Sequence, residues 1–175
     1  MKKNYWPLAI GLLLLTIVID QASKGVLLYL LTGGVPLAGD AWALVPNPVL
    51  FAKVTSFFNL VFTWNPGTSF SLFRALGESA PLVIIILTGI IIGFLGYQLF
   101  ARKNTKLETT ALALIVGGAM GNLLDRIRFG AVIDFLDFHW SALHWPAFNL
   151  ADTAICIGVA LYLFYFVKQK LRTES

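Results

Sequence analysis

Pro81 to Phe100 is a run of 20 residues without a charge, dense in isoleucine. A run that long and that apolar reads as a membrane-spanning helix, because hydrocarbon offers no partner for an open backbone. Everything else in the chain must be arranged around that span. Three other apolar stretches fit the same description. The chain is 58% hydrophobic and 13% charged over 175 residues, against roughly 45–50% and 25% for soluble domains. Its length suits one membrane-embedded domain covering residues 1–175, with spans at about 8–31, 81–100, 109–125 and 152–167.

Lys2 and Lys3 precede an apolar core from Leu8 to Ile19, as in a secretory signal peptide. No small-x-small site follows, however, and Asp20 interrupts before Gly25–Leu31 resumes the pattern. As one helix, Leu8–Leu31 is about 36 Å long, enough to span. Asp20 and Lys24 then share a face one turn apart. They serve either as a neutralised pair tying helices together or as part of a site. The single cysteine, Cys156, sits inside the fourth apolar run. It reads as a small hydrophobe and excludes any disulfide within the chain.

Thr32–Ser79 contains Gly33-Gly34, Pro36, Pro46 and Pro48, which exclude a spanning helix. Phe57–Trp64 carries strand-forming residues, and Asn65-Pro66-Gly67 reads as the turn that closes it. A small sheet on the membrane surface is expected there. Arg74 and Glu78 read as solvated or headgroup contacts. Ile127–Pro146, with Trp140 and Trp145, reads as an outside connection bearing amphipathic patches.

Orientation follows from the basic residues. Eight of thirteen Lys and Arg lie at the N-terminus, in the Arg102–Lys106 loop or at the C-terminus. With four spans these share one side, and the positive-inside rule makes it the cytoplasm. Segments 32–79 and 127–150 then fall outside, along with Trp42, Trp64, Trp140 and Trp145. Helix rise puts Asp125 about 28 Å from Lys106, and Asp152 about 24 Å from Lys168. Asp20 arrives slightly deeper. Polar residues from three spans thus converge near the outer boundary, where intramembrane carboxylates mark a functional site.

Chemistry there rests on carboxylates, amides and one arginine. No His-Glu-x-x-His zinc motif occurs and no serine has a base. His139 and His144 read as interfacial hydrogen-bonding groups. Two close aspartates can share one proton and activate water for amide hydrolysis, with Asn65, Asn122 and Asn149 orienting the pair. Each acid also has a plainer explanation. Asn149 and Asp152 fit a helix N-cap and first turn. Asp125 and Arg126 fit an interfacial ion pair. Asp134, flanked by apolar residues in Val132-Ile-Asp-Phe-Leu, reads at its plainest as a buried interfacial acid and is harder to explain away, and Asp137 reads as solvated.

Gly121-Asn122-Leu-Leu-Asp125-Arg126, Val132-Ile-Asp134-Phe135 and Phe148-Asn149-Leu-Ala-Asp152 resemble, in order, the signatures of bacterial lipoprotein signal peptidases (signal peptidase II). Asp20-Gln-Ala-Ser-Lys24 and Asn65-Pro-Gly67-Thr-Ser-Phe70-Ser71 resemble two further motifs of that family. The resemblance implies a membrane all-α fold, with four transmembrane helices, a small periplasmic β-sheet and a short periplasmic helix or loop. It implies an intramembrane aspartyl endopeptidase of the bacterial inner membrane, with its active site at the outer face. Such an enzyme cuts diacylglyceryl-modified prolipoproteins just before the lipobox cysteine. The catalytic pair carries over to Asp134 and Asp152. Asp20, Lys24, Asn65, Gly67, Asn122, Asp125, Arg126 and Asn149 take substrate-binding or supporting positions. Neither metal nor cofactor is expected, and no nucleic acid. A monomer in contact with membrane lipid and inhibited by globomycin-type peptides is expected. The chain departs from the family at Thr68 and Ser69, where small residues are usual, and in a longer stretch around Leu37–Phe51. One competing function is a non-catalytic assembly or scaffold protein, favoured only if the acids tolerate replacement by Asn; the other is a proton-coupled membrane transporter using buried acids as a relay. Against it, the halves show no inverted repeat and the acids gather at one level.

Overall fold

A computed structural model describes residues 4–34, 49–67 and 77–173. The expectations for Pro36, Trp42, Pro46, Pro48, Thr68, Ser69, Arg74 and the Glu78 side chain lie outside the described residues, as does most of the longer Leu37–Phe51 stretch. Four long helices are present: α1 (Trp6–Thr32), α2 (Ala80–Ala101), α3 (Lys106–Phe129) and α4 (Leu150–Thr173). All four are long and apolar enough to cross a membrane.

Helix α3 is the central one. Half of its most apolar window is buried, against 11–17% in the other three. Glycines explain the close approach. A Cβ on Gly117 would press on Leu13 and Thr16 of α1, and one on Gly118 would strike the Ala151 carbonyl of α4. Gly158 of α4 returns the contact against Ala111 and Ile115. In lipid, where burial gives helices no hydrophobic gain, small residues allow the packing that holds a bundle together. A capping box between Thr105 and Glu108 starts α3, and Gly130 in the left-handed conformation (φ 72°) ends it.

Gly130 turns the chain directly into a strand. The sheet runs β1 (Val49–Lys53), β2 (Phe58–Asn65), β3 (Val132–Trp140) and β4 (Leu143–His144), all antiparallel, in chain order. Residues 127–146 therefore contribute two strands to the sheet, where the sequence shows only amphipathic patches. Phe62 and Trp64 from β2 join Ile133 and Phe135 from β3 in one core with Leu27, Leu31, Phe129 and Leu150. That core seats the sheet on the end of the bundle where α1 and α3 finish and α4 begins. The other end is closed by Ala9, Leu99, Leu112 and Tyr162. Both described chain ends and the α2–α3 connection thus lie opposite the sheet.

Candidate active site

Two lines of hydrogen bonding bring the sequence-predicted residues together. The first begins on α1. Lys24 is 2% exposed, and its Nζ lies 2.8 Å from Asp20 Oδ2, 2.8 Å from Asp125 Oδ2 and 3.1 Å from Asn122 Oδ1. A buried ammonium is tolerable only when its donors are all used. Asp20 Oδ1 in turn accepts the Ala151 backbone N–H at 3.0 Å, serving the open first turn of α4. Asp125 Oδ2 accepts the Ile133 N–H at 3.3 Å and so fixes the start of β3.

The expected Asp125–Arg126 pair is not formed; Asp125 pairs with Lys24 instead. Consecutive helical residues point about 100° apart, so one meets α1 while the other turns away. Arg126 donates from Nη1 to the Asn122 carbonyl at 3.4 Å, and its buried Nε has no partner among the described residues. Gly67 lies beside it. A Cβ there would come 3.4 Å from Arg126 Nη2 and 2.9 Å from Ile84 Cδ1, and φ is +77°. Asn65 Oδ1 accepts the Gly67 N–H at 2.9 Å, forming the predicted turn.

The second line runs from the sheet. Thr63 of β2 stands opposite Asp134 of β3, and Asn65 opposite Val132. Because Ile133 and Phe135 face the core, Asp134 projects from the other face together with Thr63 and Asn65. On the opposite edge of β3, Phe148 exchanges backbone bonds with Leu136. This pairing delivers Asn149 and the start of α4 to Asp134. Asn149 is fully buried. Its Nδ2 donates to Asp134 Oδ1 at 2.7 Å, to Asn122 Oδ1 at 3.1 Å and to the Ile133 carbonyl at 3.2 Å. Asn65 Nδ2 reaches Asp134 Oδ2 at 2.9 Å. Asp152 takes Asn122 Nδ2 at 2.7 Å on Oδ1 and the Asn149 N–H at 3.2 Å on Oδ2.

The amide orientations follow from chemistry. Lys24 can only donate, so Asn122 must turn Oδ1 toward it and Nδ2 toward Asp152. The Asp152 N–H donates to Asn149 Oδ1 at 2.9 Å, which leaves Nδ2 of Asn149 for Asp134. Every carboxylate oxygen of Asp134 and Asp152 thus receives one N–H. Asp134 is 2% exposed. Burial raises its carboxyl, the Asn65 hydrogen bond opposes this, and the Asp152 charge raises it again, to about 7.

Asp137 is not solvated as expected. It is 6% exposed and accepts from Asn59 Nδ2 at 2.9 Å and His144 Nδ1 at 2.8 Å. Burial pushes it up, but the hydrogen bonds from His144 and Asn59 outweigh that and hold it below the usual range. Sequence reading also passes over Gln21. Its Nε2 bonds Asp125 Oδ1 at 2.8 Å and the Gly121 carbonyl at 3.1 Å. An amide inside an apolar run was the available signal.

Residues 12–168 match the family described as signal peptidase (SPase) II. The chain belongs to that family. Among proteins named lipoprotein signal peptidase, it is 36% identical to that of Syntrophotalea carbinolica over 175 residues, covering 100% of both chains. It is 39% identical to that of Polynucleobacter necessarius over 172 residues, covering 92% of this chain and 87% of the relative. A bacterial membrane enzyme solved by the in meso method at 1.9 Å superposes with a TM-score of 0.71 and 26% identity, over 95% of this chain and 97% of the other. A second such enzyme, at 2.3 Å, gives a TM-score of 0.73 at 24% identity, over 97% and 93%, a likeness of fold. As a member of the signal peptidase (SPase) II family, the chain is a multi-pass membrane peptidase, and its four helices and antiparallel sheet fit that assignment. The transporter reading is not favoured.

Proposed function

We propose that the protein is an aspartyl endopeptidase that removes the signal peptide from diacylglyceryl-modified prolipoproteins, cutting just before the lipidated cysteine. Asp134 and Asp152 are the catalytic pair. The observation that carries this reading is Asn149, a single residue hydrogen-bonded to both carboxyls. Asn65 and Asn122 complete the cradle of donors. Asp20, Lys24 and Asp125 position Asn122 and the first turn of α4, while Gly67 leaves room for the Arg126 side chain beside it. Both termini lie in the cytoplasm and the site at the outer face of the inner membrane, a reading supported by the basic chain ends through the positive-inside rule.

Asp134, with its raised carboxyl, carries the shared proton. A water between the carboxyls gives a proton to Asp152 as its oxygen attacks the scissile carbonyl carbon. Asp134 gives its proton to the carbonyl oxygen, and a neutral gem-diol forms. Collapse returns a diol proton to Asp134, breaks the C–N bond and moves the proton from Asp152 to the leaving amine. Both carboxyls end as they began, and no covalent intermediate is needed. No metal or cofactor enters this scheme, the enzyme acts as a monomer, and globomycin-type peptides occupy the same site.

The test is incubation of purified protein with a lipidated preprolipoprotein, followed by detection of the released signal peptide. Release that is abolished in folded Asp134→Asn and Asp152→Asn is the expected result. Near wild-type release by either variant overturns the pair.

A further inference from the structure

The face of the sheet that carries Asp134 continues away from the helices as a groove of about 640 Å³. Its walls include Asn59, Val61 and Thr63 of β2, Asp137 of β3, and Trp145 and Ala147 ahead of α4. Thr63 stands directly across from Asp134, and Asn59 across from Asp137, so the groove starts beside the proposed pair. It leads outward along β3, whose first residue follows the end of α3.

This lining holds an unanswered polar atom. Asn59 is 8% exposed, and its Nδ2 is committed to Asp137, which can only accept. Its Oδ1 is therefore fixed as an acceptor, yet it has no partner among the described residues. A buried carbonyl oxygen without a donor is costly and calls for a ligand that brings one.

We propose that this groove binds the substrate polypeptide just beyond the scissile bond, as an extended segment that donates an N–H to Asn59 Oδ1. The inference rests on Asp134 being catalytic. An apolar signal segment belongs among the helices, so the part of the substrate leaving the membrane is the part that can follow the sheet outward. Asp137 lies three positions beyond Asp134 on β3, a reach of about 10 Å. The contact therefore engages the substrate about three residues past the cut, and the apolar walls, Val61, Trp145 and Ala147, accept side chains of moderate size.

The experiment compares two lipidated peptides with the same signal segment, using the full-length protein in detergent micelles. One ends about two residues past the cleaved bond and the other about eight. Wild type is expected to favour the longer peptide in kcat/KM, mainly through KM. Asn59→Leu, which removes the acceptor at similar volume, should shrink that preference about three- to tenfold. Ala147→Phe, which fills the groove from another wall, should do the same, and it decides the matter if Asn59→Leu does not fold. Equal use of both peptides by wild type, or an undiminished preference in the folded variants, overturns the groove. Asp134→Asn separates the two levels. If it cleaves either peptide normally, the catalytic reading fails as well. If it is inactive while no length preference exists, only the groove fails.

Discussion

Asn149 and Asp152 cap each other. The Asp152 N–H donates to Asn149 Oδ1 at 2.9 Å, and the Asn149 N–H donates to Asp152 Oδ2 at 3.2 Å. The same two side chains bond Asp134 and Asn122. A helix-start motif and the candidate site are thus one structure. Asn149→Ala should cost about 1 kcal/mol from the lost cap, and activity should fall well beyond what that predicts. Thermal melting beside a cleavage assay separates the two effects.

Asp134 and Asp152 should behave as a unit. Each Asn variant should lose at least about 10³-fold in rate, the scale of general acid–base catalysis. The double variant should be scarcely slower than either single one. Single-turnover rates on folded protein provide the check.

The raised carboxyl of Asp134 gives a pH dependence of definite sign. Its ordinary value is 3.8 and its value here is about 7. Activity that needs the proton on Asp134 should decline as pH rises through about 7. Stability runs the same way: between 3.8 and about 7 the folded protein holds a proton that the unfolded chain releases, so stability falls with rising pH. Asp134→Asn should remove that slope, and melting temperatures from pH 5 to 8 would show it.

Lys24→Met should be more damaging to folding than Asp125→Asn. The first leaves Asp20 and Asp125 buried without their shared cation, a loss on the scale of about 3–5 kcal/mol. The second keeps an acceptor for Lys24 and should leave measurable turnover. If Asp125→Asn proved as inactive as Asp134→Asn in folded protein, Asp125 would belong to the chemistry rather than its support. Unfolding in mixed micelles, read beside activity, distinguishes these outcomes.

Orientation can be tested separately. A reporter fused after Ser175 should be active only when it senses the cytoplasm. Activity confined to the periplasm would reverse the assignment.

The sequence alone determined the four helices, because runs such as Pro81–Phe100 leave the backbone no other satisfied state in lipid. It determined strand β2 and the turn at Gly67 through β-branched and aromatic residues followed by Asn-Pro-Gly. It also placed Asp20, Asp125 and Asp152 at one level, since helix rise converts residue number into depth. Tertiary structure decided which groups on that level meet. Helical spacing says which residues share a face but not what that face touches, so Asp125 could be paired with Arg126 on paper and with Lys24 in the fold. Strand β3 is held by partners on both edges, β2 and Phe148, that lie far away or around a turn in sequence. Its short alternation around Asp134 therefore carried little local signal. Asp137 looked solvated because nothing nearby in sequence announces Asn59, 78 positions earlier. Burial and hydrogen-bond partners are properties of the packed chain, and only packing could supply them.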